Sequence, residues 1–283
     1  MSVETKEVEL KGLIDMHIHT APDIIPRSLD DVQAATQAAE AGMEAIVLKS
    51  HVNCTADRAG MAQKIVPGIK VFGGLVLNAA VGGLNPTAVE AALALGARII
   101  WMPTLSAQNH REKNGEARPG IGIKLFTPEG ELRPELFEIF DLVKTAEAIL
   151  ATGHVSVAES IAIVRKSREV GVKKVIVTHP EVSWIAMSTD LQMVLRDLGT
   201  YFERCYVSCL SQGGGIPISR LASDIRRVGV ESTVLSTDFG VSTLPAPLKG
   251  LESYIQELLS QGFSEEEIWM MLGENPARLL GIR

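Results

Sequence analysis

The sequence predicts an α/β chain folded as a closed (β/α)8 TIM barrel with a long insertion after its fourth strand. One observation behind this is a quasi-repeat. Residues Ala41–His51, Leu95–Thr104, Val170–His179 and Val228–Asp238 each run from a helix end through a glycine into a continuous apolar strand. A second is strict alternation of such strands with amphipathic stretches, the pattern of a parallel sheet covered by helices. The third is the placing of histidines and one aspartate at the ends of those strands.

The four repeats supply four strands, and apolar runs at 13–19, 70–77, 148–153 and 205–210 bring the number to eight. Helical periodicity falls near 28–41, 55–65, 86–95, 134–147, 156–170, 184–198, 215–228 and 247–261. Alternation alone also admits an open doubly wound sheet. The polar strand ends decide for the barrel: His19, His51, His179 and Asp238 each close an apolar strand, and His154 closes the run Ala148–Gly153. A barrel gathers those ends into one mouth, where such folds keep their active sites.

A barrel of this kind takes roughly 250 residues as one domain, and the chain has 283. The stretch 104–133 is the one long irregular segment, carrying His110, Arg111, Lys113, Arg118 and a hairpin signal at Thr127–Gly130. A loop of that length reads as an active-site lid or binding loop, with a surface excursion as the plain alternative.

Hydrophobic residues make up 46% of the chain and aromatic ones only 5%, a balance suited to helices on a buried parallel sheet. A net charge of −7 without any dense run of Lys and Arg argues against a nucleic-acid partner and for a small-molecule substrate. Met1–Glu7 is polar, without a signal peptide's apolar core, and no later apolar run spans a membrane; the expectation is a cytoplasmic protein, with a homo-oligomer as the common default. Cys54, Cys205 and Cys209 lack disulfide, zinc-site or redox spacing and read as buried thiols.

In the first strand, His17 and His19 stand two apart and point to the same side, so both imidazoles can meet one ion. Five of the six histidines lie at strand ends. His17, His19, His179 and Asp238, with His154 nearby, supply nitrogen and carboxylate donors of the sort a borderline cation takes. An aspartate after a strand also fits a helix N-cap.

The ordered set Asp15-x-His17-x-His19, His154, His179, Ser236–Gly240 and Gly273–Gly281 resembles the amidohydrolase superfamily of metal-dependent barrels. The likeness is to a compact form, with no room before Asp15 for an N-terminal β-sandwich. The resemblance implies His17, His19, His154, His179 and Asp238 as metal ligands, with His179 and Asp238 catalytic and Asp238 as the proton shuttle. It implies a hydrolase of a small amide, lactone or ester, using one divalent metal, zinc first with manganese or iron as alternatives. Its closing segment is a helical cap without chemistry.

The chain departs from the superfamily pattern at strand four, where Trp101–Thr104 stands in place of a carboxylated lysine or glutamate, so no bridging ligand is evident. Lys49 and His51 end strand two on one face, leaving open a second ion held by His51 or a carboxylated Lys49, or a plain lysine that meets a substrate carboxylate. Arg27 and Asp23, in the loop right after the His-x-His strand, form either an anion clamp or a structural ion pair. Glu159 and Glu181 read as helix-start residues or as carboxylates orienting imidazoles. Gly213–Gly215 is a weak phosphate-loop signal, and Met270 and Met271 read as helix packing.

Other functions remain in view. Asp15–Thr20 with His51 is also similar to the polymerase-and-histidinol-phosphatase domain, a phosphoesterase with several metals, although the single Asp238 and Asn275–Arg278 favour the amidohydrolase side. A metal-dependent decarboxylase and a metal-binding barrel without turnover complete the set.

Overall fold

The computed structural model describes residues 8–115 and 122–283, so Met1–Glu7 and Arg118 lie outside the described residues. Eight strands, β1 (Ile14–His19), β2 (Ala45–Lys49), β3 (Lys70–Val76), β4 (Ile99–Trp101), β5 (Ile149–Ala151), β6 (Val175–Thr178), β7 (Tyr201–Cys205) and β8 (Thr233–Ser236), pair in parallel in sequence order. The chain beyond β8 closes the ring. Phe239 bridges Ile18, the Asp238 amide donates to the His17 carbonyl at 2.9 Å, and the His19 amide donates to the Phe239 carbonyl at 2.8 Å.

Eight helices cover the outside in the expected order: α1 (Asp31–Glu40), α2 (Ala56–Ile65), α3 (Pro86–Ala94), α5 (Glu135–Thr145), α6 (Val157–Val170), α7 (Thr189–Arg196), α8 (Ile218–Val228) and α9 (Pro247–Ser260). Two apolar shells lie between strands and helices, one built around Leu150, Phe140 and Ile163, the other around Leu48, Leu235 and Tyr254. A third cluster fills the barrel, with Ile14, Met16, Val47, Trp101, Ile149 and Val234. The closing segment joins it: α10 (Glu265–Trp269), a π-helical turn through Met270–Glu274 and α11 (Asn275–Leu280) bring Ala277, Leu279 and Leu280 into that cluster. Asn275 donates to the carbonyls of Val230 and Thr233 at 2.9 and 2.8 Å, fixing this helical cap to the start of β8.

Three expectations need correction. Strand seven is Tyr201–Cys205, whereas 206–209 forms a 3-10 turn. Glu203 and Arg204 interrupt the apolar pattern there because each is buried against an opposite charge. Helix seven starts at Thr189, with 180–187 a loop. Within the insertion, the hairpin at Thr127–Gly130 is present, and a short helix α4 (Gln108–Lys113) also forms.

β1 contains the irregularity that makes the site. Its pairing with β2 advances three residues, Asp15 to Ile18, while β2 advances two, Ile46 to Leu48. This bulge places one extra residue opposite Val47, so Met16 joins the interior cluster and His17 also faces inward. Asp15 holds the bulge, accepting from the His17 amide at 3.1 Å, the Thr237 amide at 3.2 Å and the Thr237 hydroxyl at 2.6 Å.

Candidate metal centre

Five histidines form a ring across the mouth. Ring centroids are 5.3 Å apart for His17–His19, 4.7 Å for His19–His51, 6.2 Å for His51–His154, 4.8 Å for His154–His179 and 6.4 Å for His179–His17. The sixth, His110, arrives from α4 in the insertion, its Nδ1 2.9 Å from His154 Nδ1. Trp184 packs on His110, His154 and His179 at 5.3–6.0 Å.

Asp238 stands among them. Its Oδ1 lies 2.9 Å from His17 Nε2 and 3.0 Å from His19 Nε2. It is no N-cap, since the next helix begins at Pro247. Lys49 Nζ lies 2.9 Å from His17 Nε2 and 5.1 Å above the Trp101 ring. His51 Nδ1 meets the Thr104 hydroxyl at 2.9 Å, and Asn78 fixes that threonine from the other side at 2.7 Å.

Backbone strain marks the same places. Among the described residues, four that are not glycine have positive φ, and His179 at 26° and Asp238 at 57° are two of them. Val175 and Val177 face the helices, and strict alternation would send His179 outward with them; the left-handed turn sends it into the mouth. His154 likewise follows Gly153, whose φ is 62° and whose added Cβ would meet the Met102 carbonyl at 2.3 Å.

Burial and charge set the protonation states. Burial drives His19 and His179 down to about 4 and, helped by neighbouring cations, holds His51 and His154 well below the usual histidine value. Burial opposes a charge on His17 too, yet Asp238 and Glu203 outweigh it and raise its pKa. Burial also opposes ionisation of Asp238, but the charge on His17 and hydrogen bonds from His17 and His19 hold it well below the carboxylate range. At neutral pH four imidazoles therefore offer lone pairs beside an ionised carboxylate.

A divalent cation fits this donor set. His179 Nε2 and His154 Nε2 face each other at 3.1 Å, an arrangement that needs a proton or a cation between two lone pairs. The buried Nδ1 atoms of His19 and His179 have no partner. A ligand atom each from His17, Cys205 and Asp238 also lie within 4.8 Å of one another.

Other anticipated residues fall out differently. Arg27 pairs with Asp23 at 3.0 Å, both buried, on a flap where residue 27 bridges Val241. Its charge adds to burial in disfavouring protonation of His19, Lys49 and His51. Glu159 is a capping-box residue of α6 and also accepts the Leu125 amide at 2.9 Å. Glu181 orients no imidazole and starts no helix: it forms a buried ion pair with Arg204. The Gly213–Gly215 amides all donate to carbonyls of Leu210 or Ser211, so that run is a turn with no amide left for a phosphate.

Sequence reasoning missed Glu203 and Cys205. Glu203 Oε2 lies 3.3 Å from His17 Nδ1, behind the imidazole, and Cys205 Sγ lies 3.7 Å from the same nitrogen. Had strand seven been placed at 201–205, Glu203-x-Cys205 would have shown the two-residue spacing already seen in His17-x-His19.

Against known proteins, residues 12–203 match a family described as a family of unknown function (DUF6282). The chain belongs to that family. The DUF6282 match contains all six histidines, Lys49 and Glu203, whereas Cys205 and Asp238 lie beyond it. No curated protein sequence matches the chain. Among solved structures, an amidohydrolase from Pseudomonas aeruginosa is similar at TM-score 0.64 and 15% identity, over 95% of each chain. A phosphotriesterase homology protein from Escherichia coli gives TM-score 0.61 and 16% identity, over 96% of this chain and 100% of the other. A dihydroorotase gives TM-score 0.61 and 14% identity, over 96% of this chain and 70% of the other. What the chain shares with these structures is the barrel fold anticipated from its sequence. Among the described residues, no helix is long and apolar enough to cross a membrane.

Proposed function

We propose that this DUF6282 chain is a metal-dependent hydrolase of a small polar substrate, an amide, lactone or ester. The observation that carries this reading is the ring of five strand-end imidazoles at a barrel mouth, with Asp238 Oδ1 2.9 Å and 3.0 Å from the Nε2 atoms of His17 and His19. His17, His19, His154, His179 and Asp238 would hold one divalent cation, with zinc first and manganese or iron as alternatives. Such a cation supplies Lewis acidity and lowers the pKa of water toward neutrality.

The chain's own residues do the rest. The Asp238 side chain is 16% exposed while those of His17 and His19 are at most 3%, so Asp238 is the donor-set member that reaches solvent and substrate. Its low pKa keeps it ionised at neutral pH, so that its free carboxylate would accept the proton of attacking water and return it to the leaving group. Glu203 backs His17 from behind, fixing the ring so that Nε2 faces Asp238. Trp184 and the insertion bearing His110 shield the ring from bulk water.

A phosphoester substrate is the second reading. Buried cations at Lys49 and Arg27 favour it, as does a fold shared with a phosphotriesterase homology protein that holds phosphate in its active site. The test is a panel of amides, lactones, carboxylic esters and phosphoesters with zinc- or manganese-loaded protein, with product analysis for CO2. Turnover of one class, lost in Asp238→Asn while the cation stays bound, supports hydrolysis. Release of CO2 would move the chain to the decarboxylases, and no turnover in any class would leave a binding barrel.

A further inference from the structure

β7 delivers Glu203 and Cys205 to the mouth with the same spacing that β1 uses for its histidines, and the sulfur is fully buried. Among the described residues, His17, Cys205 and Asp238 are the one group of metal-ligating side chains whose ligand atoms lie within 4.8 Å of one another. Cys205 Sγ is 3.7 Å from His17 Nδ1. The Nδ1 atoms of His19 and His179, also buried, have no hydrogen-bond partner. Cys54 and Cys209 are only half-buried and stand outside this group.

We propose that Cys205 is a sulfur ligand of the cation held in this mouth, so that the site combines imidazole, carboxylate and thiolate donors and prefers zinc over manganese. The proposal rests on the metal-dependent reading above. A thiolate is a soft donor: it favours zinc, whereas manganese favours oxygen. On binding, the sulfur–cation bond forms as the S–H bond breaks, and the proton leaves to solvent. Without the cation, burial and the nearby Glu203, Asp238 and Asp15 oppose a thiolate while Lys49 favours it, so the sulfur gives up its proton as the cation binds.

Cobalt(II) is the probe. One equivalent is added to metal-free protein and the near-ultraviolet sulfur-to-cobalt charge-transfer band is recorded for the wild type, Cys205→Ser, Cys209→Ser and Cys54→Ser. The band is expected in the wild type and both control variants and absent in Cys205→Ser at unchanged cobalt stoichiometry. Zinc affinity should fall at least about tenfold in Cys205→Ser while manganese affinity stays within about twofold. X-ray absorption on zinc-loaded wild type covers the case in which Cys205→Ser does not fold, and should show one sulfur at about 2.3 Å. Stoichiometric cobalt without the band, or zinc with only nitrogen and oxygen neighbours, overturns the sulfur ligand and leaves the hydrolase reading standing. No cobalt bound at all overturns both.

Discussion

Replacing Gly240 by alanine should loosen the seam that closes the barrel beside the histidine ring. Gly240 has φ of 133°, and an added Cβ would stand 1.8 Å from the His19 carbonyl oxygen, where real Cβ contacts do not fall below 3.0 Å. β1 and the chain after β8 would have to part by more than about 1 Å. That movement stretches the two bonds across the seam, His19 amide to Phe239 carbonyl and Asp238 amide to His17 carbonyl, now 2.8 and 2.9 Å. Backbone strain of about 1–3 kcal/mol and loss of roughly 1 kcal/mol for each of two bonds give a cost of about 3–5 kcal/mol. With unfolding entropy of roughly 0.6 kcal/mol/K for a chain this long, Tm should drop by about 5–8 °C. Gly96→Ala is the control, since Gly96 has φ of 96° with nothing near its missing Cβ, and strain alone should cost about 1–2 kcal/mol. Differential scanning calorimetry on both variants is the assay. Equal Tm shifts would refute the claim that contact with the His19 carbonyl, rather than φ, dictates glycine at this seam.

Further outcomes follow from buried charges. Burial pushes Asp15 up to about 6, against hydrogen bonds from Thr237 and the His17 amide. Its unfolded carboxyl ionises near 4, so the folded state holds the extra proton between the two values, and the stability present below about pH 4 is lost as pH rises through 6, by on the order of 3 kcal/mol. Urea unfolding of wild type and Asp15→Asn at pH 4 and 7.5 should show the wild type losing ground to the variant as pH rises; a pH-independent difference would contradict this. The Glu181–Arg204 pair is buried on both sides. Glu181→Gln or Arg204→Met alone should cost about 3–5 kcal/mol and the double change much less than their sum, because either single change leaves a buried group unpaired. Additive losses in the same unfolding assay would show that the two act separately.

The barrel was readable because its signals are local. A capping glycine followed by an apolar run marks a buried strand wherever it recurs, and four such repeats set the spacing for the remaining elements. β7 broke this reading, because Glu203 and Arg204 look like surface residues until the partners His17, Glu181 and Gln192 are seen from other strands and loops. The histidines and Asp238 were legible as strand ends, yet how they reach the mouth was not. The β1 bulge and the left-handed φ at His179 break the two-residue alternation that a sequence pattern assumes. Arrival of His110 depends on how the insertion folds back through the Ala107–Ile123 bridge, a long-range pairing with no local mark.

The central claim, a cation held by the strand-end histidines and Asp238, is tested most directly by elemental analysis of the purified protein beside a His17→Ala/His19→Ala variant. The account predicts about one zinc, manganese or iron per folded chain, lost in the variant. A folded wild type that holds no metal after incubation with these ions, or a variant that retains its metal, would contradict it.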